Sequence, residues 1–141
     1  MGVKEKIMES TNYFKEILIS IAKKSTCDRL YTSAIIVKDN YIISTGYNGA
    51  PRKRKHCNEL HLMKDNHCVN TIHAELNAIL NAAKNGINID NCDMYCLNKP
   101  CFRCMMVLIN SGIKNCYYFG NYEDGFQDYF VENKFCKFIK I

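Results

Sequence analysis

Three potential ligands for a soft metal and one carboxylate stand at usable spacings in this chain. His73-Ala74-Glu75 is followed by Pro100-Cys101-Phe102-Arg103-Cys104. Two residues between the cysteines let both thiolates reach one tetrahedral ion. A single histidine then completes three ligands and leaves the fourth position open, the ligand count of a catalytic rather than a structural zinc. Both groups open helical patterns, where unpaired amides and the helix dipole favour thiolates and lower their pKa. Glu75, two residues beyond the histidine, cannot share its direction on a helix. It reaches a metal-bound water from the side, which suits a proton shuttle better than a fourth ligand. The competing reading is a redox Cys-x-x-Cys pair beside ordinary helix residues; it would put the pair after a first strand and would need neither His73 nor Glu75.

These residues need elements to hold them. Residues 7–24 carry apolar side chains at Ile7, Phe14, Ile17, Leu18 and Ile21, a helical period with Ser10 or Thr11 as an early cap. Ser33–Lys38 and Tyr41–Thr45 read as strands joined at Asp39-Asn40, a two-residue hairpin signal. Gly46–Thr71 reads as a long loop, with the basic run Arg52-Lys53-Arg54-Lys55, and a loop of that length is functional or tied down. His73–Lys84 is a helix stopped before Gly86, and Cys101–Ser111 a second helix closed by Gly112. Asp93–Leu97, Cys116–Phe119 and Phe135–Ile141 are strand-like, with a short segment near Gln127–Glu132. Helices alternating with strands after a hairpin predict an α/β fold, a three-layer α/β/α sandwich around a mixed central sheet. No repeat or linker divides residues 1–141, which read as one domain.

Composition agrees. With 141 residues, 48% hydrophobic and 23% charged, the chain has the apolar content for a core and is unlike a disordered or fibrous sequence. Its apolar runs are far shorter than the ~20 residues that span a bilayer. The N-terminus lacks the apolar region of a secretory signal, so the expected location is cytoplasmic. There the nine cysteines are ligands or buried thiols rather than a disulfide framework. Cys92, Cys96, Cys116 and Cys136 lie in apolar stretches and read as small buried hydrophobes. Cys27, Cys57, Cys68, Cys101 and Cys104 sit among Gly, Pro, His or charged residues, where ligands belong. The net charge of +5 suits a nucleotide or another anion. Four basic residues on one loop with no interleaved aromatics make a poor nucleic-acid groove.

His-x-Glu followed by Pro-Cys-x-x-Cys is the pattern of the zinc nucleobase deaminases. Ser44–Pro51, with its Gly46-Tyr47-Asn48-Gly49-Ala50-Pro51, together with Thr71–Ile79, Pro100–Cys104 and Ser111–Lys114, resembles more narrowly the deoxycytidylate (dCMP) deaminase family. That family belongs to the cytidine deaminase-like superfamily, and the likeness runs from about Lys23 to Tyr122. It implies a cytidine deaminase-like fold and a zinc-dependent hydrolase in which His73, Cys101 and Cys104 hold Zn²⁺. Zn-hydroxide attacks C4 of cytosine with Glu75 as proton shuttle, converting dCMP to dUMP and ammonia and supplying dUMP for thymidylate synthesis.

The resemblance also implies substrate contacts at Asn48 and at Tyr122, which would pack on the pyrimidine. Lys24, Ser25 and Arg29 are candidates for the phosphate. A second, structural zinc is implied at Cys27, Cys57 and Cys68 with His67 as fourth ligand, His56 being the alternative. Members are commonly hexamers regulated by dCTP and dTTP near the Gly46–Pro51 segment, so a homo-oligomer, hexameric or smaller, with such effectors is expected. The chain departs from the family in reading Thr32-Ser33-Ala34 where Val-Gly-Ala is usual, and in ending soon after its last strand. The rival readings are a deaminase of free nucleosides, tRNA or DNA, and a non-catalytic zinc-binding regulator on the same fold.

Overall fold

Ser33-Ala34-Ile35-Ile36-Val37 is buried at every residue, not at alternate ones, as expected of a strand covered on both faces. A computed structural model describes residues 2–27, 30–56, 62–64 and 67–141, without the side chains of residues 3–9, 67 and 68. In it this run is β1 (Ser33–Lys38), the second strand of a five-stranded sheet. β1 pairs antiparallel with β2 (Tyr41–Tyr47) across Asp39 and Asn40, whose φ values of 50° and 66° make the left-handed turn that suits a two-residue hairpin. On its other side β1 runs antiparallel to β5 (Asp93–Asn98), which is parallel to β6 (Asn115–Gly120), itself parallel to β7 (Lys137–Lys140). The sheet is therefore mixed, as the sequence predicts.

Each face has its own core. Helix α1 (Val3–Ala22) buries Phe14, Leu18 and Ala22, one stripe at four-residue spacing, and covers one face with Ile35, Val37, Tyr95 and Leu97. The opposite face carries Ala34, Ile36, Met94, Cys96 and Cys116 under α2 (Ala74–Lys84) and α3 (Phe102–Ser111). Alternation along β5 sends Met94 and Cys96 to one core and Tyr95 and Leu97 to the other. Cys92, Cys96, Cys116 and Cys136 are all buried apolar residues, as predicted. No helix among the described residues is long and apolar enough to cross a membrane.

Two expectations change, and one departure from the family pattern finds a role. α1 begins at Val3, so Ser10 and Thr11 lie inside the helix and cap nothing. The long loop is not structureless, because Met63–Lys64 (β3) pairs with His67–Cys68 (β4) and a bridge joins Gly49 to Ile72 at the loop's root. Ser33, which stands where the resembling family has glycine, donates its hydroxyl to Leu18 O at 2.6 Å and so ties β1 to α1.

α2 lies very close to the sheet. Its inner row is Ala74, Ala78 and Ala82, all buried, and β2 meets this row with Gly46. A Cβ at Gly46 would run into Ala74 O and Ala78 N, backbone atoms that cannot swing aside. Ser44 Oγ adds a hydrogen bond to Ala78 O at 2.6 Å, and Asn81 Nδ2 reaches Thr45 O at 2.8 Å. α3 ends at Gly112, whose φ of 93° only glycine adopts without strain. Gly46→Ala is expected to destabilise the fold by about 1–3 kcal/mol, the cost of overpacking, seen as a lower Tm in thermal unfolding.

Candidate metal and catalytic site

His73 and Cys101 occupy equivalent positions. Each is the N-cap of its helix with an extended backbone, φ −65° and ψ 150° for His73, φ −68° and ψ 165° for Cys101. Each carbonyl accepts the first helical hydrogen bond, from Asn77 N and Met105 N at 3.0 Å. Neither side chain makes the capping bond that Ser, Asp or Asn would make there. Both are left for other work. Cys104 lies three residues into the helix from Cys101, the position whose side chain returns to the cap.

The three side chains converge. His73 Nδ1 lies 3.4 Å from Cys101 Sγ and 3.4 Å from Cys104 Sγ, and the three donor atoms all lie within 4.8 Å of one another. A tetrahedral zinc with ordinary Zn–N and Zn–S bonds separates nitrogen from sulfur by about 3.5 Å, close to both nitrogen–sulfur distances here. Among the described residues this is the one cluster that could hold a metal. His73 is exposed, Cys101 half-buried and Cys104 buried, so the cluster opens to solvent on the histidine side.

Electrostatics organise the same groups. The Cys101 thiol is lowered to about 4, first by the hydrogen bond from Cys104 and then by His73, against its burial. Cys104 is raised, first by its interaction with the Cys101 sulfur and then by burial. The His73 imidazole is raised, first by its hydrogen bond with Cys101. Glu75 is 6% exposed, and burial raises its carboxyl above the ordinary range. A carboxyl so placed is poised to hold a proton beside the ligand cluster.

Of the other predicted residues, Tyr122 is the one tied to this centre among those described. Tyr122 follows β6 and is half-buried; burial and then the Cys101 sulfur raise its phenol, so the ring shares the site's electrostatics. Asn48 is buried, with Oδ1 accepting the Thr32 N–H at 3.1 Å and Nδ2 donating to Leu30 O. Ser25 is buried and donates to Asn48 O at 2.9 Å. These two residues therefore join the segments 24–32 and 46–51, and their polar atoms are engaged with backbone. Lys24 is exposed. Arg29 and Cys57 lie outside the described residues, as do the side chains of His67 and Cys68. Cys27 is 2% exposed, and His56 is exposed.

A separate concavity of about 440 Å³ lies over the Gly46–Pro51 segment, lined by Tyr47, Arg52, Lys53, Arg54, His56 and Asn77 among others. Asn77 holds it by donating to Tyr47 O at 2.8 Å. Motif reading also missed Asp124 and Gln127. Asp124 Oδ2 accepts the Phe102 N–H at 2.8 Å, the first of the amides of α3 that have no partner within the helix. The only local sign is an Asp just before Gly125, which reads as a turn and not as a cap for a distant helix.

Comparison with known proteins places the chain. The sequence profile of the cytidine and deoxycytidylate deaminase zinc-binding region matches residues 8–120. ComE operon protein 2 of Bacillus subtilis (strain 168) is 43% identical over 112 residues, covering 79% of this chain and 59% of that protein. The deoxycytidylate deaminase of Enterobacteria phage T2 is 31% identical over 147 residues, covering 77% of this chain and 78% of the phage protein. The chain thus spans about 60% of the Bacillus relative, and under 40% of two yeast deoxycytidylate deaminases that it also matches. The crystal structure of dCMP deaminase from cyanophage S-TIM5 in complex with dCMP and dUMP superposes with a TM-score of 0.82 at 24% identity, covering 100% of this chain and 99% of that one.

Among the cysteines whose side chains the structure describes, Cys101 is half-buried and the others are buried. In chelator-treated protein, iodoacetamide is expected to label Cys101 first among these described cysteines, and added zinc to protect it. Peptide mass spectrometry reads both results, and labelling of Cys96 or Cys116 ahead of Cys101 would contradict the geometry.

Proposed function

This chain belongs to the cytidine and deoxycytidylate deaminase family, and from that premise we propose that it hydrolyses the 4-amino group of dCMP to give dUMP and ammonia. One observation carries the reading. A buried carboxylate, Glu75, stands two residues from His73 at the edge of a His/Cys/Cys cluster whose spacing fits zinc. A regulator without catalytic work has no use for that group. Deoxycytidylate deaminases among the relatives, two of them phage proteins of which this chain covers about three-quarters, favour the 5′-monophosphate over a nucleic-acid substrate.

Held by His73 Nδ1, Cys101 Sγ and Cys104 Sγ, zinc would supply Lewis acidity that lowers the pKa of water, with a fourth position open for it. Glu75 does the proton work. Its carboxylate takes a proton from the attacking water and gives it to cytosine N3 as oxygen bonds to C4. It then passes the second proton to the amino nitrogen, so that the C4–N4 bond breaks and ammonia leaves. Burial keeps the Glu75 carboxyl's pKa raised, which suits a group that must both accept and return the proton. Tyr122 packs on the pyrimidine, Asn48 shapes the nucleotide cleft, and Lys24, Ser25 and Arg29 supply the phosphate end. The product dUMP is the precursor for thymidylate synthesis, and the work is placed in the cytoplasm within a single domain of residues 1–141.

Two further parts of the reading concern the loop. A structural zinc at Cys27, Cys57, Cys68 and His67 would anchor Gly46–Thr71; the burial of Cys27 at the root of this region supports it. The basic concavity at Arg52–Arg54 is matched to a triphosphate, dCTP or dTTP, acting on a homo-oligomer up to a hexamer.

Purified holoenzyme is expected to release ammonia from dCMP, with the ultraviolet change of cytosine to uracil, and Glu75→Gln to lower kcat about 10²–10⁴-fold. Turnover of cytidine but not dCMP would reject the substrate assignment. Metal analysis should give two zincs per chain, falling to one in Cys27→Ser while deamination persists. A single zinc that survives Cys27→Ser would reject the second site.

A further inference from the structure

The segment after β6 is fastened to the start of α3 by side chains that the reaction itself does not use. Lys99 N donates to Gly120 O at 2.8 Å, beginning the contact. Gln127, 1% exposed, donates through Nε2 to Pro100 O at 2.9 Å and to Tyr122 O at 2.7 Å, and its Oε1 accepts the Asp124 N–H at 3.1 Å. Asp124 in turn gives Oδ2 to the Phe102 N–H and Oδ1 to the Phe126 N–H at 2.9 Å. One buried amide thus joins the carbonyl just before Cys101 to the carbonyl of Tyr122. One carboxylate satisfies the first free amide of α3 beside Cys101, whose sulfur lies against His73. Buried polar groups without partners cost free energy, so this network favours a single relative placement of the two segments.

We infer that Asp124 and Gln127 are positioning residues that hold Tyr122 in fixed register with Cys101, Gln127 by clamping the two carbonyls and Asp124 as a cap lent to α3 from another segment. The inference rests on the roles proposed above for Tyr122 and the zinc cluster. Neither residue touches the reacting atoms; each acts through a neighbour.

The test compares Gln127→Leu and Asp124→Asn with the wild-type holoenzyme, alone and combined with Tyr122→Ala. It reads kcat and KM for dCMP and the cobalt–thiolate absorption of the cobalt-substituted protein. A displacement on the order of 1 Å costs up to about 100-fold, so Gln127→Leu is expected to lower kcat/KM about 10–100-fold with Tyr122 present. With Tyr122 already Ala the further loss should shrink to about 3-fold or less, the non-additivity of residues that act through one another. The cobalt–thiolate band should also shift, which a remote loss of stability would not produce. Equal losses in both Tyr122 backgrounds overturn the inference. If Gln127→Leu fails to fold, Asp124→Asn, of the same size and retaining one acceptor oxygen, is held to the same two criteria. A wild-type protein that leaves dCMP unchanged refutes the proposed reaction instead, and an unshifted cobalt band in the variant then overturns the clamp on its own.

Discussion

The site depends on how near α2 can come to the sheet. A helix usually rests on a sheet through a layer of large side chains, but here Gly46 faces Ala74 and Ala78 and that layer is missing. Backbone meets backbone, and the Ser44 hydroxyl and the amides of Asn77 and Asn81 can bridge the two elements directly. This seating fixes where α2 starts, and the start is where His73 and Glu75 stand. A helix one side chain further out would leave the imidazole short of both sulfurs and Glu75 in water, with an ordinary carboxylate's affinity for protons.

A second regularity follows. Both ligand-bearing N-caps have the backbone of a cap and lack its usual hydrogen bond. An N-cap side chain projects back over the first turn, so two helices that begin side by side aim their caps at one point. A pair of serines there would spend their oxygens on amides. Imidazole and thiol compete poorly for those amides, and at α3 the carboxylate of Asp124 serves the neighbouring amide of Phe102.

Much of this was legible because it is local. Helical and strand periods, the Asp39-Asn40 turn, the Gly112 stop and the Cys-x-x-Cys spacing each lie within a few residues, and each appears where those residues put it. The start of α1 was misread because Ser10 and Thr11 stand before an apolar stripe as caps do; in the folded chain the helix runs through both. The backbone partners of Asn48 and Ser25 were not legible either, because Thr32 and Leu30 lie 16 and 18 positions from Asn48, and Asn48 lies 23 from Ser25. Gln127 was invisible as a functional residue because its partner Pro100 lies 27 positions away. A glutamine in a loop carries no mark of the carbonyl it will meet.

The bridge between Gly49 and Ile72 closes the long excursion at its root, with Gly49 N donating to Ile72 O at 3.2 Å and Ile72 N to Gly49 O at 2.8 Å. A loop pinned in this way can change length cheaply, since closure entropy grows only with the logarithm of size and a doubling costs about 0.6 kcal/mol. The position of His73 is set by the seating of α2 and by this pin just before it, and not by what lies beyond the pin. A change of length beyond the pin therefore leaves the reactive groups where they are, and it is there that the chain is open to remodelling by descent.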